Sequence, residues 1–289
     1  MCIGNHLAIR AQIRYNRDIN TDGADPMSLT PASWTPLLTT RALGRAVSHY
    51  EHTLTSTNLV LKDMAKQGAP HGSLCLCECQ TAGRGRMDRS WFSPEGQGVW
   101  LSVLLRPAMP AESAPLITFC CALAMAKAVH EVTALDAHIK WPNDLVLNGR
   151  KLCGILLEMG FDAQGYYVVA GTGLNVRRNA YPPELADRAT SIEEWAAVPD
   201  RGVIVAAYLA ALENALTAVE QHGFAGIAEN FRRECITLGS QVQVIGTESA
   251  FTGTAEDIDE TGALLVRTGG ELRRVLAGDV SVRGVMGYV

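Results

Sequence analysis

Apolar and polar residues change rhythm along this chain, and the changes divide it. Residues 1–36 show no sustained period and carry Asn16, Asn20, Asp22, Gly23, Asp25 and Pro26, turn and breaker types that predict a loosely structured N-terminal extension. Met27 offers an internal start within it. From Leu37 to about residue 236 short strands alternate with helices. Thr55, Ser56 and Thr57 supply caps ahead of a helix over Asn58–Gln67, which Gly68 stops. Strands are predicted at Leu74–Cys79 and Val99–Leu105, a long and largely buried helix at Ala111–Val132, and further helices at Ile204–Gln221 and Phe224–Cys235. Ile139–Leu147 and Arg150–Met159 flank Asn148-Gly149, the strongest short-range signal for a two-residue hairpin turn, and Tyr166–Ala170 continues the sheet. Beyond Thr237 short strands are separated by Gly, Thr and Asp turns: Gln241–Ile245, Phe251–Asp257, Ala263–Thr268 and Leu272–Leu276. About 50 residues of that kind, 237–289, predict a small SH3-like β-barrel.

Composition narrows the partners more than the fold. Of 289 residues, 47% are hydrophobic and 19% charged, enough apolar material for one large core and a smaller satellite domain. The formal net charge of -5 disfavours a polyanion, so no nucleic-acid partner is expected. Nor does the N-terminal segment carry the two adjacent apolar stripes of a helix-turn-helix. Eight cysteines (Cys2, Cys75, Cys77, Cys79, Cys120, Cys121, Cys153 and Cys235) lie mostly in apolar runs without C-x-x-C pairs and read as reduced core thiols. No stretch is read as approaching the roughly 20 apolar residues of a membrane helix, and the N-terminus lacks a charged region followed by an apolar one. A cytoplasmic protein that binds no membrane is expected.

Three segments carry chemistry. The first, Gln80-Thr81-Ala82-Gly83-Arg84-Gly85-Arg86-Met87-Asp88-Arg89-Ser90-Trp91, follows a strand and spaces three arginines through a glycine-containing loop. Gly83 and Gly85 let backbone amides approach a ligand, while Arg84 and Arg86 supply forked donors for a carboxylate or phosphate. A solvated basic loop has the same composition, and a lone G-x-G decides little. The second segment runs Lys140-Trp141-Pro142-Asn143-Asp144 and, after the hairpin, Arg150-Lys151-Leu152-Cys153-Gly154-Ile155-Leu156-Leu157-Glu158. A two-residue turn sets Leu147 opposite Arg150 and Val146 opposite Lys151, so Asp144 and Lys151 point to one face, roughly 7–8 Å apart on the diagonal. Leu145, Leu147, Leu152 and Leu156 then share the other face. By itself this could be a surface ion pair. The third segment, Gly171-Thr172-Gly173-Leu174-Asn175, ends a strand with small residues and one polar side chain.

In this order and spacing the three segments resemble the catalytic domain of biotin protein ligases: a Ser-Thr-Asn start, a G-R-G-R-x-x-R-x-W loop, K-W-P-N-D, then R-K-L-x-G-I-L-x-E. The likeness runs from about Leu37 to the C-terminus. It implies an α+β fold in which a mixed sheet flanked by helices forms the catalytic domain, residues 37–236, followed by the SH3-like domain. It implies an ATP-dependent, AMP-forming ligase that makes biotinyl-5′-AMP and passes biotin to a lysine of a biotin carboxyl carrier protein or domain. Carried over by position, Ser56, Thr57, Asn58, Gln80, Arg84, Gly85, Arg86, Lys151 and Gly154 would bind biotin. Arg86, Arg89, Trp91, Asn143 and Asn175 would bind ATP, with Mg²⁺ accompanying the nucleotide near Asn175. Lys151, Arg84, Arg86 and Asp144 would carry the chemistry, Asp144 orienting the acceptor lysine. Met87 and Asp88 depart from the pattern, since a family glycine often precedes the third arginine. The missing winged helix implies a ligase without a DNA-binding role, and a homodimer stays open. Competing readings are a lipoate or octanoate transferase, which lacks the paired-arginine loop, a non-catalytic biotin sensor, and a pyridine-nucleotide enzyme. The last is disfavoured because neither G-x-G opens a helix.

Overall fold

The structure, a computed structural model, describes residues 28–178, 181–246, 250–277 and 281–284. Residues 1–27, with Met27 and Cys2, lie outside that range.

Seven strands form the larger sheet: β1 Ser48–Leu54, β2 Leu74–Gln80, β3 Gly98–Leu105, β4 His138–Lys140, β5 Asp144–Leu147, β6 Arg150–Asp162 and β7 Gly165–Asn175. Their order is β1-β2-β3-β7-β6-β5-β4. Only β1 and β2 run parallel, the helix Thr57–Lys66 making the crossover between them. The other neighbours pair antiparallel, so the sheet is mixed.

Both faces of the sheet are covered. Numbering helices in chain order, α1 is Pro31–Trp34, α2 Thr57–Lys66, α3 Pro115–Thr133, α4 Pro183–Ala186, α5 Arg201–His222 and α6 Ala228–Glu234. Helices α3 and α5 bury one face around Leu76, Leu101, Val103, Met125 and Leu209. Helix α2 packs on the other, where Leu61, Cys77, Trp100 and Val169 form a second, smaller cluster. That smaller cluster leaves part of its face uncovered, and the site opens there.

Several expectations change. The segment 28–36 is packed rather than loose: Leu29 and Trp34 are fully buried, the Trp34 indole donates to Leu29 O (3.3 Å), and Leu29 N donates to the buried Glu78 carboxylate (2.7 Å). Glu78 in turn pairs with the buried Arg201 (2.8 Å), joining the segment to α5. Ile139–Leu147 is two antiparallel strands rather than one, with Lys140 opposite Asp144 across a turn at residues 141–143. Pro142 has no N–H for a ladder, which is why the run breaks there. The long helix begins as a 3₁₀ turn at Ala111–Ser113, and the expected helix from Phe224 is a 3₁₀ turn at Gly223–Gly226 followed by α6. Helices Pro115–Thr133 and Arg201–Gly226 are long and apolar enough to cross a membrane by length and composition, contrary to the sequence reading, and 61% of each apolar window is buried inside the protein. The seven described cysteines are free thiols, six of them buried.

The C-terminal strands β8 Gln241–Ile245, β9 Phe251–Ile258, β10 Leu264–Thr268, β11 Glu271–Val275 and β12 Ser281–Gly284 form one antiparallel sheet in the order β11-β10-β9-β8-β12. It docks on the larger unit through Trp141, whose indole donates to Gly262 O (3.2 Å).

Candidate functional site

Every residue assigned from the sequence to biotin, to ATP or to the chemistry lines one cavity of about 870 Å³ on the α2 face of the large sheet, while Gly83 packs behind it against Trp91 O and Ser93. Its floor is β6 and β7, one wall is the start of α2, and the arginine loop lies across it.

The loop is a small hairpin of its own. Trp91 N donates to Gly83 O (2.8 Å) and Gly85 N to Arg89 O (2.7 Å), while Met87 and Asp88 form the tip at φ 56° and 55°. Two consecutive left-handed residues are a turn that glycine, asparagine and aspartate tolerate best. The backbone therefore accounts for a glycine in the related pattern and for Asp88 here. Arg86 reaches from the loop to Asn143 Oδ1 (2.7 Å) and also donates to the carbonyl of Ala277, so the loop, the K-W-P-N-D turn and the C-terminal unit meet at one guanidinium.

Lys151 stands on β6 against Asp144, Nζ to Oδ1 2.6 Å, and its ammonium lies 5.2 Å from the centre of the Trp91 ring. The pair is closer than a flat hairpin allows because a bulge intervenes: Val146 pairs with Lys151 but Leu145 with Cys153. The expected partition of leucines changes with it. Leu145, Leu147 and Leu152 do enter the core, but Leu156 lines the cavity and Cys153 and Ile155 take core positions. The turn at Asn148-Gly149 has φ 48° and 75°, as a two-residue hairpin demands.

Trp91 explains two glycines. Gly154 and Gly173 are partners across β6 and β7, and the indole rests on both. A Cβ at Gly173 would lie 2.3 Å from Trp91 Nε1, and one at Gly154 2.8 Å from its Cζ3. The indole meets Trp100 edge-on at 6.5 Å.

At the α2 wall, polar groups are largely committed to one another. Ser56 occupies the cap position without a side-chain cap bond, and Gln80 Oε1 caps instead, accepting from Thr57 N (3.0 Å) and lying 3.2 Å from Thr57 Oγ1. Gln80 Nε2 donates to Ser93 Oγ (2.8 Å), leaving one amide N–H for a ligand. Asn58 accepts from Ser102 (2.6 Å) and donates to Glu158 (3.0 Å). Asn143 donates to Ile155 O (2.9 Å) and Asn175 to Thr190 O (3.0 Å), so both asparagines also act as scaffold.

The segments that build the cavity match known protein families. Residues 50–175 fit the model of the biotin/lipoate A/B protein ligase family, and residues 237–283 that of the biotin protein ligase C-terminal domain. The bifunctional ligase/repressor BirA of Bacillus subtilis is 34% identical over 249 residues, 85% of this chain and 76% of that protein. A biotin–[acetyl-CoA-carboxylase] ligase of Mycobacterium tuberculosis is 36% identical over 232 residues, 78% of this chain and 85% of the other. This chain belongs to the biotin protein ligase family. The biotin protein ligase of Aquifex aeolicus, solved in complex with biotin and ATP, superposes with a TM-score of 0.72 at 28% identity, covering 82% of this chain and 99% of that one.

Sequence reasoning missed part of this ligase's cavity. Lys140, to which the motif assigns no role, lines the cavity with 7% exposure, and burial and the charges of Lys151, Arg283 and Arg89 pull its ammonium down to about 8 against the opposing pull of Asp144. Tyr181, Leu185 and Arg188 line it from a segment without periodic pattern, held by backbone bonds between Lys151 and Arg188 (2.6 Å) and Thr190 (2.9 Å). Arg283 comes from the C-terminal unit. No local signal in the sequence marks these as one site.

Proposed function

We propose that this chain catalyses ATP-dependent biotinylation: biotin and ATP give biotinyl-5′-AMP and pyrophosphate, and the biotinyl group then passes to one lysine of a biotin carboxyl carrier protein or domain. The observation that carries this reading is the convergence of Arg84, Arg86 and Lys151 with the Trp91 platform in one cavity large enough for both substrates.

A biotin carboxylate attacking the α-phosphorus of ATP is an anion approaching an anion, so the site must neutralise charge before the atoms can meet. Arg84 and Arg86 on the loop and Lys151 on β6 face this space from two sides. A carboxylate oxygen forms the new P–O bond and pyrophosphate leaves. Asn143 keeps Arg86 over the site, and the flat Gly154–Trp91–Gly173 stack offers apolar surface for a ring or an aliphatic tail. The uncommitted N–H of Gln80 is suited to a ureido or similar polar head. Trp91, Arg89 and Asn175 complete the nucleotide side.

In the second step the neutral amine of the acceptor lysine attacks the acyl carbon, AMP leaves and an amide forms. Asp144, held by Lys151, is placed to orient that amine and take its proton. Among the described residues no group of three or more His, Cys, Asp or Glu forms a metal cage. Asp144, Asp187 and the amide oxygen of Asn175, whose nitrogen alone is bonded to Thr190 O, nevertheless supply oxygen donors along the cavity, which fits Mg²⁺ carried in on the phosphates. Bound there, it would screen triphosphate charge.

The test is mass spectrometry of a biotin carboxyl carrier domain incubated with the chain, ATP, Mg²⁺ and either biotin or lipoic acid. A gain of one biotin on one lysine is expected. No gain, or labelling by lipoic acid alone, refutes the reading.

A further inference from the structure

One carboxylate at the end of the cavity floor has no part in the chemistry above. Gly154, Leu156 and Glu158 follow one another on the same face of β6; the first two line the cavity, and Glu158 lies just past its end with 14% side-chain exposure. Its Oε1 takes Arg84 Nη1 and Lys62 Nζ, each at 3.0 Å, and its Oε2 takes Asn58 Nδ2 at 3.0 Å. Lys62 and Asn58 belong to α2, whereas Arg84 belongs to the loop. The helix side is rigid. Ser102 Oγ on β3 holds Asn58 Oδ1 at 2.6 Å, and Gly171 beneath leaves that amide no slack, since a Cβ there would sit 2.2 Å from it. Burial alone would raise the Glu158 carboxyl, but the bonds from Asn58 and Lys62 and the charges of Lys62 and Arg84 outweigh it and hold the carboxyl below its ordinary range.

Resting on the ligase reading, we propose that Glu158 is a positioning residue that latches the arginine loop to α2, acting through Arg84 to set the affinity for the acid substrate. Only Nη1 of Arg84 is committed to Glu158. A guanidinium has five donors, so the others can meet the substrate carboxylate while the latch holds. A carboxylate is required because all three partners are donors; an amide would turn an N–H toward one of them.

The experiment is a double-mutant cycle read by isothermal titration calorimetry with biotin on the full chain. Glu158→Gln is expected to weaken the biotin Kd roughly tenfold, the scale of a lost hydrogen bond between charged groups, and to leave the ATP Kd within about twofold. Arg84→Ala weakens biotin binding too, and the double variant should bind no more weakly than Arg84→Ala alone. If Glu158→Gln fails to fold by circular dichroism, Lys62→Met carries the same test, with a several-fold loss that also vanishes in the Arg84→Ala background. Effects that multiply, equal weakening of biotin and ATP, or wild-type affinity in Glu158→Gln overturn the latch. A wild-type chain that binds no biotin overturns the ligase reading itself.

Discussion

Lys140 puts the electrostatics of the cavity to a quantitative test. Its side chain is buried, and its ammonium titrates near 8 instead of the ordinary 10.5, because burial disfavours the charge and Lys151, Arg283 and Arg89 repel it, Asp144 only partly compensating. At neutral pH the lysine is charged in both the folded and the unfolded chain, so the difference is a cost borne by the folded state. At about 1.4 kcal/mol per pH unit it amounts to roughly 3 kcal/mol, an upper figure. As pH rises from about 8 to 10.5 the folded chain gives up the proton while the unfolded chain keeps it, and stability rises through that window.

Lys140→Met keeps the length of the side chain and removes the charge. It should stabilise the fold by up to about 3 kcal/mol at pH 7, or roughly 5–10 °C in Tm for a chain of this size. The gain should shrink toward zero between about pH 8 and 10.5. Biotin-dependent pyrophosphate release should fall at the same time, since one cation is lost beside the Asp144–Lys151 pair. Urea unfolding at pH 7, 8.5 and 10, with equal m-values for the two proteins, checks the stability claim. A variant less stable than wild type at pH 7, or a gain that does not change with pH, would refute the reasoning.

Other perturbations test other parts of the site and of the fold that carries it. Lys151→Ala should slow pyrophosphate release by at least about a hundredfold while Tm moves by only a few degrees, because the ammonium is needed where charge develops; a wild-type rate rules the assignment out. Gly173→Ala forces a methyl group into the indole of Trp91 and should weaken ATP and biotin binding together, measured by calorimetry, whereas unaltered affinities would mean the indole moves freely. Asp88→Gly relieves a left-handed residue at the loop tip and should raise thermal stability by at most about 1 kcal/mol; a loss would show that the carboxylate matters more than the backbone. Arg201→Met strands the buried Glu78 and should cost about 3–5 kcal/mol in chemical denaturation, while a neutral result would mean that Glu78 finds another partner or takes up a proton.

The sequence made legible what contiguous motifs and turn chemistry encode. Asn148-Gly149 placed the hairpin, and three short segments named residues that turn out to share one cavity. Strand β1 was missed because Ser48–Leu54 is almost wholly polar at the sheet edge and shows no apolar alternation. The packed stretch at Leu29–Trp34 was read as loose because its order comes from Glu78 and Arg201, far along the chain. Residues 181–190 were silent for the same reason: they are held by backbone bonds to Lys151, by the Asn175 amide and by Phe92 against Tyr181, all distant in the chain. Gln80 was assigned a ligand, yet much of its amide caps α2, a duty that depends on how a strand end meets a helix start.

The bulge on β6 ties fold to chemistry. Cys153 and Ile155 point into the core beneath α3 and α5, and strict alternation would send Lys151 there with them. An unpaired ammonium among those apolar residues would cost several kcal/mol or lose its proton. By absorbing one residue between Lys151 and Cys153, the strand lets Leu152 and Cys153 both enter the core and turns Lys151 back toward Gly154, Leu156 and Glu158 on the cavity side. A uniform alternation misplaced Leu156 for that reason. The slip that makes the hairpin irregular is thus what allows one strand to build a hydrophobic core on one face and a cationic site on the other.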